Sequence, residues 1–296
     1  APERRGHEPF VEVGWDQALD LVAGELRRVR EAHGNAAIFG GSYGWSSAGR
    51  FHHAQSQVHR FLNCFGGYVR HVDTYSLGAG RAIMPFIVGE IDDLHAQHTA
   101  WDVLADHTEL FVAFGGVALK NSRVSPGGAT CHGVAQGLER MAARGVRFVN
   151  VSPVRDTLLV DGGAVEWIPI RPNTDTAMML ALMHELVAAG RADEAFLARC
   201  TEGYAELRAY LLGETDGVAK TADWAAAITG VPATRIRTLA RQMADTRTMV
   251  NVAWSLQRAH HGEQPFWATV SLAAILGQVG LPGGGFALGY GAMNAI

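Results

Sequence analysis

The chain has 296 residues, 48% hydrophobic and 18% charged, an ordinary mixture for a protein with a buried core and a length that suggests about two domains. The formal net charge of −4 gives no reason to expect nucleic acid or an anionic membrane as a partner, and no segment approaches the roughly 18 apolar residues of a membrane-spanning helix. The three cysteines, Cys64, Cys131 and Cys200, are far apart and form no CxxC pair, so neither a disulfide framework nor an iron–sulfur cluster is indicated.

The first third of the chain predicts two helices and a short strand, followed by a loop that carries a serine. Leu19, Val22 and Leu26 recur at the spacing of one helix face, and Gly34 follows as a stop signal. The predicted elements are a helix over residues 15–33, a strand over residues 36–39, a helix over residues 50–64 and a loop over residues 73–79.

Strands and helices alternate through the rest of the chain. The predicted strands cover residues 109–114, 146–151, 166–170 and 248–253, and the predicted helices cover residues 131–144, 176–189 and 264–279, with a helical stretch over residues 193–244. This order predicts an α/β fold. It consists of a parallel-sheet Rossmann-like domain plus part of a second α/β domain with a helical insertion. A ligand is expected at the carboxyl edge of the sheet.

Two loops in the first third contain residue types suited to chemistry. The segment Ser42-Tyr43-Gly44-Trp45 directly follows a predicted strand, and its aromatic side chains could donate hydrogen bonds to an oxygen atom or simply pack over the sheet edge. Ser76 lies in a turn with small neighbours, which would let a large ligand come close. A hydrolase is not favoured, because glycine is absent two positions before this serine.

Three later loops suit a nucleotide. Gly115-Gly116 with Lys120 and Asn121 follows a strand; it is neither a P-loop nor a G-x-G-x-x-G motif, and it suits a pyrophosphate or is a solvated loop. Strand ends of one sheet converge, so Ser152-Pro153 and Asn173-Thr174-Asp175 should lie close together. An aspartate there could accept hydrogen bonds from a purine, although a helix cap is the simpler alternative. The paired histidines, such as His260-His261, show no zinc motif.

Taken together and in order, several segments resemble the dimethyl sulfoxide reductase family of molybdenum oxidoreductases. They are residues 8–19, Gly41-Ser42-Tyr43-Gly44-Trp45, the Tyr75-Ser76 turn leading into Ile83-Met84-Pro85, Leu119-Lys120-Asn121, Pro172-Asn173-Thr174-Asp175, residues 257–264 and residues 276–285. Residues 193–200 and 210–214 resemble the biotin sulfoxide reductase branch of the family. The resemblance also suggests a fragment that lacks an N-terminal segment and a C-terminal cofactor-binding domain.

The resemblance implies a bis(molybdopterin guanine dinucleotide) molybdenum cofactor and a role for each matching residue. Ser76 matches the serine whose side-chain oxygen binds molybdenum, and Trp45 and Tyr43 match aromatic residues that act beside the metal. Lys120 and Asn121 match the loop on the cofactor phosphates; Ser152, Pro153, Asn173 and Asp175 match the guanosine pocket of one pterin; Trp254, Gln257 and Arg258 match a later cofactor-facing loop. Leu77 departs from the family, which usually has threonine there.

The activity implied is reduction of an S-oxide, such as biotin, methionine or dimethyl sulfoxide, to the sulfide, with electrons from an unidentified donor. A serine ligand favours oxide reduction over formate or nitrate chemistry. The alternatives are an N-oxide reductase acting on trimethylamine N-oxide, and a non-catalytic nucleotide-binding α/β fragment. The implied domains are residues 1–88 with the metal-ligand loop, 89–263 as the guanine-dinucleotide domain, and 264–296 as a return segment. The compartment, cytoplasm or periplasm, is not assigned.

Overall fold

The computed structural model of the chain describes residues 2–42, 44, 47, 49, 51–125 and 132–292. The chain divides into two compact units, Ala1–Asp73 and Thr74–Ile296, within each of which the residues lie close together in space. The predicted division into three parts has its boundaries at residues 88 and 263, and it stays a prediction. No helix in the described ranges has both the length and the apolar character needed to cross a membrane.

The described residues of the first unit form two helices, α1 (Trp15–His33) and α2 (Ala54–Cys64), and short 3-10 turns at Pro2–Arg4 and Asn35–Ala37. Helix α1 ends as predicted, because Gly34 takes a φ of +76° and donates its backbone N–H to the Arg30 carbonyl at 2.9 Å. The apolar face of α1 is not buried: Leu19, Leu21 and Val22 are each more than half exposed.

The strand predicted over residues 36–39 is wrong. Residues 35–37 form the 3-10 turn, and only Phe39 forms a β-bridge, in parallel with Val69. The bridge is made by the Val69 N–H to the Ile38 carbonyl at 2.8 Å and by the Gly40 N–H to the Val69 carbonyl at 2.9 Å. A strand needs a partner along its whole length, and here a single residue has one.

The second unit contains the sheet and most of the helices. Its helices are α3 (Gly78–Ile83), α4 (Ile91–Ala96), α5 (Trp101–His107), α6 (Gly133–Ala143), α7 (Asp175–Ala188), α8 (Glu194–Cys200), α9 (Tyr204–Leu211), α10 (Ala222–Thr229), α11 (Ala233–Asp245) and α12 (Gln264–Ile275). Its strands are β1 (Leu110–Phe114), β2 (Arg147–Val151), β3 (Val165–Ile168), β4 (Thr248–Val252) and β5 (Gly285–Ala287). The predicted alternation of strands and helices is confirmed in this unit, with ends shifted by a few residues. The predicted stretch over residues 193–244 consists of α8 to α11.

The five strands are parallel and lie in the order β3-β2-β1-β4-β5. The central strand β1 is buried along its whole length, as expected when both faces of a sheet are covered. From β1 the chain moves outward through β2 to β3 and then returns to the other side of β1 as β4. This reversal creates a switch point between β1 and β4, and sheets of this kind bind ligands at the carboxyl edge of such a point.

Side chains of β1 alternate between two apolar cores, one on each face of the sheet. Leu110, Val112 and Phe114 belong to the larger core, which α7, α11 and α12 complete. Phe111 and Ala113 belong to a smaller core with α5 and α6. Because both faces are packed with apolar side chains, polar groups available to a ligand are concentrated in the loops at the ends of the strands.

Candidate functional site

The loops at the carboxyl ends of the strands carry most of the predicted site residues. Gly115 and Gly116 follow β1, Ser152 and Pro153 follow β2, Asn173 and Asp175 come after β3, and Trp254, Gln257 and Arg258 follow β4. Because all the strands are parallel, these loops lie at one edge of the sheet. The structure therefore brings the predicted nucleotide loops to the same edge.

The loop after β1 is a glycine turn packed closely against its neighbours. Gly115 and Gly116 have φ values of +82° and +80°, in the left-handed region that favours glycine. A Cβ on Gly116 would lie 2.5 Å from the Thr157 carbonyl oxygen, and one on Gly115 would lie 2.7 Å from the Ala253 Cβ. Lys120 and Asn121 follow with exposed side chains. The turn leaves no room for side chains beside its backbone.

The loop after β2 is fixed by hydrogen bonds to β3. Ser152 is buried, its N–H donates to the Ile168 carbonyl at 3.2 Å, and its carbonyl accepts the Trp167 indole N–H at 2.8 Å. Its hydroxyl accepts the Val154 N–H at 3.2 Å. Pro153, next to it, is exposed. Ser152 is therefore a rigid position at the sheet edge beside an exposed proline.

The loop before α7 places a carboxylate in a buried position. Asn173 has a φ of +63°, and Asp175 is the first residue of α7 with only 5% of its surface exposed. No side-chain cap closes this helix, so the capping role that Asn173, Thr174 or Asp175 could have taken is not observed. Burial raises the pKa of Asp175 to about 6, while a hydrogen bond from its own backbone N–H acts in the opposite direction and lowers the pKa. A ligand with N–H donors would offset the cost of this buried charge.

The Asp175 carboxyl should make the stability of the ligand-free protein depend on pH. Its pKa is raised on folding from 3.8 to about 6, because the folded protein favours the protonated carboxyl. The stability that this protonated group contributes is fully present below about pH 3.8, and it is lost as the pH rises through about 6. Asp175→Asn should therefore raise the free energy of unfolding at pH 8 by about 1–3 kcal/mol and change it little at pH 4. Urea unfolding of both proteins at the two pH values tests this. An equal difference in the free energy of unfolding between the two proteins at pH 4 and at pH 8 would contradict this prediction.

The turn that carries Ser76 lies between Thr74 and α3. The Ser76 N–H donates to the Thr74 hydroxyl at 3.2 Å, and the Gly78 N–H donates to the Thr74 carbonyl at 2.9 Å. The Ser76 side chain is half-buried. Among the described residues no hydrogen bond uses its hydroxyl. The oxygen is therefore held in a defined backbone turn and is available to a ligand.

The loop after β4 is hydrogen-bonded directly to the Ser76 turn. The Gln257 side chain donates from Nε2 to the Tyr75 carbonyl at 2.7 Å, and its Oε1 accepts the Ala79 N–H at 2.9 Å. Arg258 adds a second donor, from Nε to the Tyr75 carbonyl at 3.2 Å. This contact joins the predicted metal-ligand turn to the carboxyl edge of the sheet.

The third predicted residue of this loop, Trp254, uses its indole N–H within the fold. It donates to the Leu288 carbonyl at 2.8 Å and stacks on the ring of His95, with centroids 5.0 Å apart. A Cβ on Gly289 would lie 2.2 Å from the Trp254 Nε1. Trp254 is thus packed against the last described segment, and its predicted role toward a cofactor stays a prediction.

Two histidines that bond the Leu288 backbone, one of them stacked on Trp254, carry no mark in the sequence. His95 hydrogen-bonds through Nε2 to the Leu288 carbonyl at 2.7 Å, and His98 Nε2 accepts the Leu288 N–H at 3.2 Å. Burial lowers the pKa of His98 to about 3, so this ring stays neutral. Together they hold the backbone of Leu288 against Trp254. No motif marks them, because they bind a backbone segment nearly 200 residues away.

Tyr43 and Trp45 lie outside the described residues. Their predicted place beside the metal therefore stays a prediction.

The sequence profile of the molybdopterin oxidoreductase family matches residues 2–295. Biotin sulfoxide reductase of Cereibacter sphaeroides is 52% identical over 292 residues, covering 99% of this chain and 39% of the relative. Dimethyl sulfoxide/trimethylamine N-oxide reductase of Rhodobacter capsulatus is 46% identical, and trimethylamine-N-oxide reductase of Haemophilus influenzae is 42% identical; each alignment covers 97% of this chain and 34% of the relative. The chain thus spans between a third and two fifths of the length of these relatives.

Among solved structures, acetylene hydratase from Pelobacter acetylenicus has a TM-score of 0.55 to this chain at 19% identity, over 92% of this chain and 34% of the other. At that identity the likeness concerns the fold alone. It agrees with the predicted α/β architecture.

Proposed function

The chain belongs to the molybdopterin oxidoreductase family, and we propose that it forms the part of an S-oxide reductase that binds a bis(molybdopterin guanine dinucleotide) molybdenum cofactor. The side-chain oxygen of Ser76 is the protein ligand of the metal in this proposal. The observation that carries it is the direct hydrogen bonding between the Ser76 turn and the loop after β4. This contact supports a ligand turn next to the nucleotide loops. When bound, the cofactor supplies the two-electron oxygen-atom transfer.

The loop that follows the glycine turn after β1 suits a pyrophosphate. Gly115 and Gly116 make a tight turn at the carboxyl end of β1, with the Gly115 and Val117 N–H groups bonded within the fold. This turn directs the following residues to the edge of the sheet at which a phosphate would bind. The exposed ammonium of Lys120 would offset the negative charge, and the Asn121 amide would add a neutral donor. These groups fit the phosphates of a dinucleotide.

The buried Asp175 suits a guanine base. Guanine offers a ring N–H and an exocyclic amine on one edge, and a carboxylate can accept from both. Asp175 at the start of α7 is buried, and its carboxylate accepts a hydrogen bond from its own backbone N–H. Ser152, Pro153 and Asn173 at neighbouring strand ends would form the rest of this guanosine pocket. Pairing with the base would supply further N–H donors to this buried carboxylate.

Ser76 has the chemistry of a ligand to a high-valent metal. Its hydroxyl would lose its proton on binding, and the resulting hard oxygen donor suits molybdenum in a high oxidation state better than a soft thiolate does. Trp45 and Tyr43 would donate hydrogen bonds to the oxygen of the S-oxide as negative charge develops there. Overall, an S-oxide, two electrons and two protons give a sulfide and water, and the electrons come from a donor still to be identified.

An N-oxide substrate is a second candidate for the same site. The relatives from Rhodobacter capsulatus and Haemophilus influenzae carry trimethylamine N-oxide in their names, and the proposed residues would serve either substrate. Competition between dimethyl sulfoxide and trimethylamine N-oxide in one assay would separate the two: the preferred substrate has the larger kcat/KM.

Elemental and nucleotide analysis tests the cofactor directly. Protein purified from a host that makes the cofactor should contain about one molybdenum and release about two guanine nucleotides per chain. Asp175→Ala should lower the nucleotide content, because the base loses its carboxylate partner, whereas substitution of the exposed Asp161 should leave it unchanged. If the protein holds neither metal nor nucleotide, it is a folded α/β scaffold and the proposal fails.

A further inference from the structure

The side chain of Gln257 bridges the two ends of the turn that holds Ser76. Its Nε2 donates a hydrogen bond to the Tyr75 carbonyl at 2.7 Å, and its Oε1 accepts one from the Ala79 N–H at 2.9 Å. Tyr75 immediately precedes Ser76, and Ala79 follows it by three residues. One amide therefore sets the separation of the backbone groups on both sides of the serine.

Gln257 is itself held in place. It ends the short turn Trp254–Gln257 after β4, and only 6% of its surface is exposed. Gly262 packs against its backbone so closely that a Cβ there would lie 1.8 Å from the Gln257 carbonyl oxygen. The amide thus extends from a fixed backbone. Breaking either hydrogen bond would leave a buried polar group without its partner, so an alternative geometry of the turn is costly.

We infer that Gln257 is a positioning residue, which fixes the direction of the Ser76 oxygen by holding the turn from both sides. The inference rests on the proposed function, in which the Ser76 oxygen binds the metal. It goes beyond the expected role of Gln257 as a cofactor contact, because both ends of its amide are engaged by the turn. Arg258 supports the same carbonyl from its Nε at 3.2 Å. Residues that orient a metal ligand usually change activity by about 10–100-fold when they are lost.

The chain offers a closely matched control in Gln278. Its Nε2 donates to the Thr246 carbonyl at 2.8 Å and its Oε1 accepts the Thr248 N–H at 2.7 Å. It therefore bridges two backbone groups just as Gln257 does, but at the beginning of β4, the amino edge of the sheet. Gln278→Leu should cost comparable stability and leave the site unchanged.

The experiment compares Gln257→Leu, Gln278→Leu and Ser76→Ala in the molybdenum-loaded enzyme. Gln257→Leu should lower kcat roughly 10–100-fold, with KM and molybdenum content within about twofold of the parent. In the X-ray absorption spectrum, the shell of oxygen atoms around molybdenum should become more disordered or lose the contribution of the serine oxygen. Gln278→Leu should match the parent in all of these. Gln257→Glu keeps the acceptor for Ala79 but sets a carboxylate oxygen against the Tyr75 carbonyl, so its loss should be at least as large as that of the leucine variant. Gln257→Met keeps the length of the side chain without either hydrogen bond, and it replaces the leucine variant if that protein does not fold.

The double variant separates this inference from the proposed function. If Gln257 acts through the serine, adding Gln257→Leu to Ser76→Ala should change kcat and the absorption spectrum no further. Parent-like kcat and spectrum in Gln257→Leu, additive losses in the double variant, or loss of metal from both Gln257 variants would overturn the inference while leaving Ser76 as the ligand. An unchanged metal shell in Ser76→Ala would instead remove the ligand assignment, and the inference with it.

Discussion

Replacing Ser76 by alanine is expected to reduce S-oxide turnover by more than about 100-fold. Loss of a residue that only orients a metal ligand costs about 10–100-fold, so loss of the ligand itself should exceed that range. Stability should change by less than about 1 kcal/mol, because the side chain is only half-buried and its hydroxyl is in no hydrogen bond within the described ranges. The defect would therefore lie in the chemistry and not in the fold.

The measurement is steady-state reduction of dimethyl sulfoxide and trimethylamine N-oxide, normalised to bound molybdenum. Ser271→Ala is the matched control, since Ser271 lies on α12 and its hydroxyl donates to the Trp267 carbonyl of the preceding turn. Its activity should equal that of the parent. If Ser76→Ala with a full complement of molybdenum reduces both substrates at the parental rate, Ser76 is not the metal ligand.

The sheet was predictable because its strands are short apolar runs buried on both faces. The sequence of β1, Leu-Phe-Val-Ala-Phe, shows the pattern plainly, and a glycine pair marks its end. Strand β5 shows no such pattern. It has three residues and begins with Gly285, a poor strand former, and it exists because β4 offers a free edge with which it pairs. The six- and seven-residue helices α3, α4 and α5 are likewise too short to show a helical period.

The grouping of the site residues was predictable only in part. Residues that follow parallel strands must converge, so the loops with Gly116, Ser152 and Asp175 could be placed together from the order of strands alone. The bond between Gln257 and the Tyr75 carbonyl joins positions 182 residues apart. Neither residue type nor spacing marks that pair, because it depends on how α3 and the loop after β4 pack. The sequence could therefore suggest a role for Gln257 but not its partner.

A methyl group at Gly116 should both destabilise the fold and weaken nucleotide binding. The φ of +80° costs a residue with a side chain about 1–2 kcal/mol. In addition, the new Cβ would lie 2.5 Å from the Thr157 carbonyl oxygen. That carbonyl cannot move freely, because it accepts the Val117 N–H at 2.8 Å, and the Asn150 amide holds the same loop through the Arg155 carbonyl at 2.9 Å. Gly116→Ala should therefore lower the free energy of unfolding by about 2–4 kcal/mol in total.

Gly145→Ala separates the two contributions to that loss. Gly145 has nearly the same φ, +83°, but a Cβ there would meet no atom within 4 Å, so this variant should lose only the backbone cost of about 1–2 kcal/mol. Urea unfolding of both variants gives the difference, and guanine nucleotide content shows whether it reaches the site. Equal destabilisation would mean that the Thr157 loop yields to the methyl group. A larger loss in Gly116→Ala with full nucleotide content would mean that the glycine turn is required for packing against residues 155–157 and does not hold the phosphates.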